Sequence, residues 1–194
     1  GLKEQIQTIK NKAVENEDVN VSFVTFGDGD VKELFFEKPV SVKLMDEIDT
    51  DSYQPYGSTP MLDAVGYTVN KLKQETEWED PSHRYLIMIM SDGRENASCE
   101  FDYETIAKMI SDLEDTERFT FTYMGPMDEL DTVKDKLDIS DGNLMGYEVT
   151  KIGTTRAMNT VSNATAQYLS ADASSTGSFY SEDDENNQPD NQSS

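Results

Sequence analysis

Apolar residues change their spacing along this chain in a regular way. Leu2, Ile6, Ile9 and Ala13 fall on one stripe with charged residues between them, the period of an amphipathic helix. Residues 19–26 (Val-Asn-Val-Ser-Phe-Val-Thr-Phe) alternate at a spacing of two and are rich in β-branched and aromatic side chains, which predicts a strand. Gly27-Asp28-Gly29-Asp30 is a turn cluster, and residues 31–40 supply a second strand that returns as a hairpin. Pro39 sits at its end, where a missing N–H does least harm. A short helix is expected at residues 42–48, followed by a loop rich in turn formers over residues 49–58. Thr59 then reads as an N-cap and Pro60 as the first helical residue, with Met61, Leu62, Val65, Val69 and Leu72 as the apolar stripe.

Residues 85–90 (Tyr-Leu-Ile-Met-Ile-Met) form an unbroken apolar run, as expected of a parallel strand covered on both faces, and Ser91-Asp92-Gly93 ends it abruptly. Ile106, Met109, Ile110 and Leu113 mark the next helix, and residues 118–124 the next strand. Leu130, Val133 and Leu137 predict another helix and residues 144–149 a short last strand. Residues 155–169 close as a helix with Met158, Val161, Ala164, Tyr168 and Leu169 inward. Strands alternate with helices, the signature of an α/β domain with a mostly parallel central sheet and helices on both faces. The first hairpin implies one antiparallel edge strand. The domain is expected over residues 1–170. From Ala171 to residue 194 Ser, Asn, Asp and Glu dominate, and such a segment buries too little apolar surface to offset its ordering entropy. An acidic disordered tail is the expectation.

Charge removes whole classes of function. With 39 acidic against 16 basic residues the net charge is -23, spread along the chain. A nucleic-acid binder must neutralise phosphates with clustered Lys and Arg, and an anionic lipid surface would repel this chain. Neither nucleic acid nor membrane is an expected partner. A single cysteine, Cys99, excludes an intrachain disulfide and suits a reducing, cytoplasmic setting. The longest apolar run is far too short to span a bilayer, and no signal peptide opens the chain. The first residue is Gly1, so the expectation is that the sequence begins inside a longer product, after processing, or at an engineered boundary.

Two stretches are specific enough to suggest a family. Gly57-Ser58-Thr59-Pro60-Met61-Leu62-Asp63-Ala64-Val65 resembles the loop-to-helix segment of von Willebrand factor A (vWA) domains. Leu86-Ile87-Met88-Ile89-Met90-Ser91-Asp92-Gly93-Arg94-Glu95-Asn96 resembles the hydrophobic strand of those domains with its Ser/Thr-Asp-Gly turn. Order and separation agree, and Phe23-Val24-Thr25-Phe26-Gly27 is similar to their second strand. The resemblance spans residues 1–169 and looks closest to small stand-alone bacterial and phage members.

It implies a Rossmann-like three-layer fold and a metal-ion-dependent adhesion site (MIDAS) holding Mg²⁺ or Mn²⁺ at the carboxyl end of the sheet, where open α/β sheets place ligands. Within that resemblance Thr59 offers its hydroxyl to the metal and Asp92 its carboxylate, directly or through water. A small hard cation wants oxygen ligands and keeps some water, so these residue types are chemically apt. An acidic side chain of a protein partner then completes the shell. The family's Asp-x-Ser-x-Ser loop should stand just before the opening helix, on the first central strand. No strict match occurs in the 194 residues. The nearest, Asp172-Ala173-Ser174-Ser175-Thr176, lies in the polar tail. The N-terminal strand is therefore expected to be missing, leaving the run at Tyr85 with an unpaired edge. Either upstream residues belong to the natural chain, or the protein is a truncated, metal-free relative.

Plainer readings stand beside these. Thr59 before Pro60 caps a helix in any protein, and Asp92-Gly93 after a strand is an ordinary βα turn. Glu95 and Asn96 read as solvated loop residues. His83 reads as a surface residue and Cys99 as a half-buried thiol, with no paired histidine motif to make a nucleophile. Asp28 and Asp30 lack the rest of an EF-hand, and Gly57-Ser58-Thr59 lacks the lysine of a phosphate loop. Met88, Met90, Met109 and Met158 are packing residues. A protein-binding module is thus the first expectation. A metal-free scaffold with a structural role in a phage or bacterial assembly is the second, and an enzyme is not expected because no nucleophile–base pair appears.

Overall fold

A computed structural model describes residues 2–13, 19–27, 30–41, 57–171 and 176–180. The expected helix at residues 42–48 lies outside them, as does most of the loop that follows it. In chain order the elements are α1 (Leu2–Ala13), β1 (Asn20–Gly27), β2 (Asp30–Ser41), α2 (Met61–Glu75), β3 (Tyr85–Met90) and α3 (Tyr103–Glu114). They continue as β4 (Phe119–Pro126), α4 (Leu130–Leu137), β5 (Leu144–Tyr147) and α5 (Lys151–Ser170).

The strands β3, β4 and β5 form a parallel sheet in that order, with Tyr85 opposite Phe119 and Tyr123 opposite Leu144. Parallel strands need helical crossovers, and the helices between them, α3 and α4, pack over one face of the sheet. There Met61, Leu62, Val65 and Val69 of α2 close on Ile87, Ile89, Phe119, Phe121 and Tyr123, together with Ile106, Ile110 and Leu113 of α3 and Val133 and Leu137 of α4. The opposite face meets α5 through Ala157, Met158, Val161, Ala164 and Tyr168, with Met88 and Met90 packed against them, and α1 lies on α5. This is a Rossmann-like α/β arrangement of three layers.

The antiparallel element is the hairpin of β1 and β2, paired from Gly27–Asp30 to Asn20–Ser41. Among the described residues it stands as a two-stranded sheet of its own, without hydrogen bonds to β3. It is tied to the rest because α2 touches both its strands and Phe26 packs against the main core.

Element ends depart from the pattern where polar residues make the caps. The last strand stops at Tyr147 rather than at residue 149, and α5 begins at Lys151, four residues before the first residue that periodicity marks. Thr150 is the reason. Its hydroxyl accepts the Gly153 N–H at 3.0 Å, capping a turn that carries no apolar stripe. Gly153 is required there, because a Cβ would stand 2.3 Å from the Glu148 carbonyl oxygen.

Residues 176–180, assigned by composition to the polar tail, return to the domain. Their placement explains three polar side chains of the core, Thr120, Thr122 and Asn143, each 0 % exposed. The Asn143 Oδ1 accepts the Phe179 N–H at 2.8 Å and its Nδ2 donates to the Thr176 carbonyl at 2.8 Å. Thr120 Oγ1 accepts the Thr176 N–H, and the Tyr180 hydroxyl donates to Thr122. Phe179 is buried against Tyr168 and Ala164. A sequence with no apolar periodicity is held because its backbone satisfies polar groups the sheet has already buried. Residues 181–194 lie outside the described set.

Two outcomes follow for this strap. Phe179→Ala lowers unfolding stability by about 3 kcal/mol, and Asn143→Ala, which orphans the buried Phe179 N–H and the part-buried Thr176 carbonyl, by about 2 kcal/mol, both read from urea midpoints. Burial pushes the Tyr180 phenol up to about 12 against an ordinary 10.0, the Thr122 hydrogen bond opposing the shift. A folded value above the unfolded one means that this stabilisation is intact below pH 10.0 and is lost as the pH rises toward about 12. Tyr180→Phe flattens that part of the alkaline unfolding curve.

Candidate functional site

Two segments meet at the carboxyl end of β3: the loop that leaves the strand at Ser91 and the start of α2. A reciprocal pair of carboxylates clamps them. The first N–H groups of a helix have no partner within it, and α2 obtains partners from the other segment. Glu95 Oε2 accepts the Leu62 N–H at 2.9 Å and Ser98 Oγ accepts the Asp63 N–H at 3.1 Å. Glu95 also accepts the N–H groups of Ala97 and Ser98 and the Ser98 hydroxyl, so its two oxygens hold four donors. In return Asp63 reaches from the first turn of α2 into the loop, accepting the N–H groups of Cys99, Glu100 and Phe101 at 2.8, 2.9 and 2.9 Å. Phe101 packs flat on Gly66, where a Cβ would come within 2.6 Å of its ring.

Thr59 is placed by the same clamp. Its N–H donates to Asn96 Oδ1 at 2.8 Å, and its carbonyl accepts the Asn96 N–H at 3.2 Å. The expected role of Thr59 as N-cap is corrected. The helix starts at Met61, Pro60 occupies the cap position, and no side chain of the same segment caps it. Since Glu95 and Ser98 have taken the first free N–H groups, the Thr59 hydroxyl is left over. It points at the loop, close enough to Gly93 that a Cβ there would stand 3.1 Å away. Asp92, the neighbour of Gly93, is exposed. Among the described residues neither the Thr59 hydroxyl nor the Asp92 carboxylate takes part in a hydrogen bond or ion pair, whereas Ser91, Glu95, Asn96, Ser98 and Asp63 are all committed.

The fold thus sets the Thr59 hydroxyl against Gly93, the residue that follows Asp92 in the loop. Glu95, read from sequence as a solvated loop residue, is instead the centre of the clamp. The signal that pointed to it was weak: an acidic residue three positions after Asp92, with nothing to say that α2 lies opposite. Cys99, expected half-buried, is exposed, because only its N–H is used by the clamp. His83 is exposed as expected, with Nδ1 near the Glu77 carbonyl. Beyond the loop, Arg94 pairs with Asp128 at 2.9 Å and with the buried Glu129, which ties the loop to the end of β4. Asp128 and Glu129 hold the Arg94 guanidinium above its ordinary value.

One hydroxyl and one carboxylate, both oxygen and both uncommitted, suit a hard cation that keeps several waters. No cluster of three or more His, Cys, Asp or Glu able to hold a metal occurs among the described residues. Two protein ligands therefore fit part of a shell, and the remainder has to come from water or from another molecule.

A family model for the von Willebrand factor type A domain matches residues 2–189, and the chain belongs to that family. Domains of this family are generally protein-interaction modules, often metal-dependent. Comparison with curated proteins and with solved structures gives no match.

The clamp and the free pair respond differently to mutation. Glu95→Ala costs about 2–3 kcal/mol of stability, since a charged acceptor of several N–H groups is lost. Asp92→Ala changes stability by less than about 0.5 kcal/mol, as for an exposed residue without partners. Urea titration of the two variants in parallel checks both values.

Proposed function

We propose that this domain is a protein-binding module that engages its partner at the carboxyl end of the sheet. A divalent cation, Mg²⁺ or Mn²⁺, is held there by the Thr59 hydroxyl and the Asp92 carboxylate. The observation that carries the proposal is the pair of uncommitted oxygens beside a loop whose Ser91, Glu95, Asn96 and Ser98 side chains are spent on structure. The metal would supply an electrophilic centre with open positions. The family's Asp-x-Ser-x-Ser loop is not among the 194 residues, so water and an acidic side chain of the partner complete the shell in this reading. The role is binding, not catalysis.

The surroundings support a protein partner. Met127, Val149 and Ile152 are 65 %, 65 % and 67 % exposed. Register pairs Pro126 with Tyr147, so the residues that follow each strand, Met127 and Val149, emerge on the same rim, and Ile152 lies in the first turn of α5. Apolar side chains grouped beside a polar centre are the composition of a protein contact. The even spread of acidic charge argues against nucleic acid as the partner. No helix among the described residues is long and apolar enough to cross a membrane.

A second reading, a metal-free scaffold with a structural role in an assembly, is favoured by the shortage of ligands noted above. Mn²⁺ separates the two. With the chain labelled for NMR, the first reading expects paramagnetic broadening centred on the amides of Thr59, Asp92 and Gly93, and a higher melting temperature in Mg²⁺. The double change Thr59→Ala with Asp92→Ala abolishes both. Broadening scattered over surface carboxylates, with no thermal shift, leaves the scaffold reading.

A further inference from the structure

The outer side of α5 differs in charge from the rest of the chain. Asp and Glu make up 39 of the 194 residues, yet residues 149–171 contain none, and no other stretch runs as far without one. That stretch is α5 with the few residues that lead into and out of it. The inward side of the helix is spent on the sheet. On the opposite side Ile152, Arg156, Asn159, Asn163 and Gln167 recur at spacings of three and four, and all five are exposed, Ile152 at 67 %. At the rise of an α-helix this stripe is about 22 Å long. A second observation concerns the cations. Every basic side chain from Lys71 to Lys136 is engaged by a carboxylate, a backbone carbonyl or an aromatic ring. Among the described residues Lys151 and Arg156, both exposed, have no such partner. Lys151 also stands in the first turn of α5, where the helix dipole favours an anion.

We propose that this stripe docks an acidic segment of a partner protein, which sets an apolar side chain on Ile152 and carboxylates on Lys151 and Arg156. The surface is separate from the Thr59–Asp92 pair and needs no metal. Charge complementarity selects the occupant: two cations without partners lie on a helix that offers no acid of its own. The amides of Asn159, Asn163 and Gln167 donate and accept, so they receive polar groups of either kind along the rest of the stripe. At physiological ionic strength charges are screened beyond about 8 Å, so the local charge of this face, not the total of -23, decides what can lie on it. A second copy of this chain is disfavoured. Symmetric pairing would set stripe against stripe and leave the cations of both copies without carboxylates.

The test is NMR of the labelled full chain in EDTA at about 0.15 M salt, with a synthetic helical peptide as probe. The peptide has Leu at every third and fourth position with Glu and Ala between, and its control carries Gln for every Glu. The acidic peptide shifts the amides of the exposed residues between Lys151 and Gln167, and the Gln peptide binds at least about tenfold more weakly. Lys151→Glu with Arg156→Glu weakens the acidic peptide about tenfold or more, and Ile152→Ser about tenfold. Both variants keep the melting temperature, because the residues are exposed. Lys108→Glu with Lys134→Glu changes the net charge equally and leaves the affinity within about twofold. Thr59→Ala with Asp92→Ala also leaves it unchanged, so failure here is distinct from failure of the metal reading. The proposal is overturned if millimolar peptide gives no shifts, if the shifts centre elsewhere, or if the Gln peptide binds as well. It is equally overturned if the Lys108 and Lys134 variant loses as much affinity, which makes the effect one of total charge. Signals of the stripe that change with protein concentration assign the face to a second copy. Resonances of residues 181–194 that move when Lys151 and Arg156 are reversed in the free protein assign it to the chain's own acidic residues. Either result overturns the proposal.

Discussion

The exchange of backbone partners between the start of α2 and the loop after β3 is the constraint on which the rest of the functional end depends. A helix start and a strand end each leave N–H groups that have to be satisfied. Here each segment lends the other a carboxylate, Glu95 in one direction and Asp63 in the other. The exchange fixes the separation of two segments that are far apart in sequence. It also exempts the Thr59 hydroxyl and the Asp92 carboxylate from structural duty. The supports are carboxylates that accept backbone N–H groups, charge-assisted hydrogen bonds that are stronger than neutral ones.

Below that end, the sheet owes its order to the burial of β4. Every residue from Phe119 to Gly125 is buried, with Phe121 and Tyr123 under α3 and α4 and Thr120 and Thr122 on the face of α5. Two threonines at the centre of a doubly covered strand would be costly without donors and acceptors. The strap of residues 176–180 provides them, and Asn143 locks the strap in turn. A polar strap, not an apolar one, thus finishes the core. The phenol of Tyr180 is drawn out of water as a result, which raises its affinity for its proton.

The two strand groups meet their edges in different ways. The hairpin pairs with itself, and β5 is flanked by the turn at Met127–Glu129 and by α4. Among the described residues no strand pairs with the other edge of β3, and Gln5, whose Oε1 is buried without a hydrogen-bond partner, lies beside Met88.

Apolar spacing was enough to read the order of elements. The period of α1, the alternation of β1, the unbroken run of β3 and the stripes of α2, α3 and α4 all appear in the structure, because the burial of one face or two is written directly into residue spacing. Two local motifs were enough to suggest the family and to name Thr59 and Asp92 as candidate metal ligands. What spacing could not carry was anything settled by a partner distant in sequence. Thr59 is a cap by local chemistry and loses that role only because Glu95 and Ser98 arrive from across the sheet. Glu95 and Asp63 look like solvated acids until the N–H groups they accept are known. Residues 176–180 look like tail because hydrogen bonds to a buried strand leave no periodic trace in composition. Hydrophobic burial is a property of each residue and its period, and so it was legible. Hydrogen-bond satisfaction is a property of pairs, and only the tertiary structure decided which pairs formed.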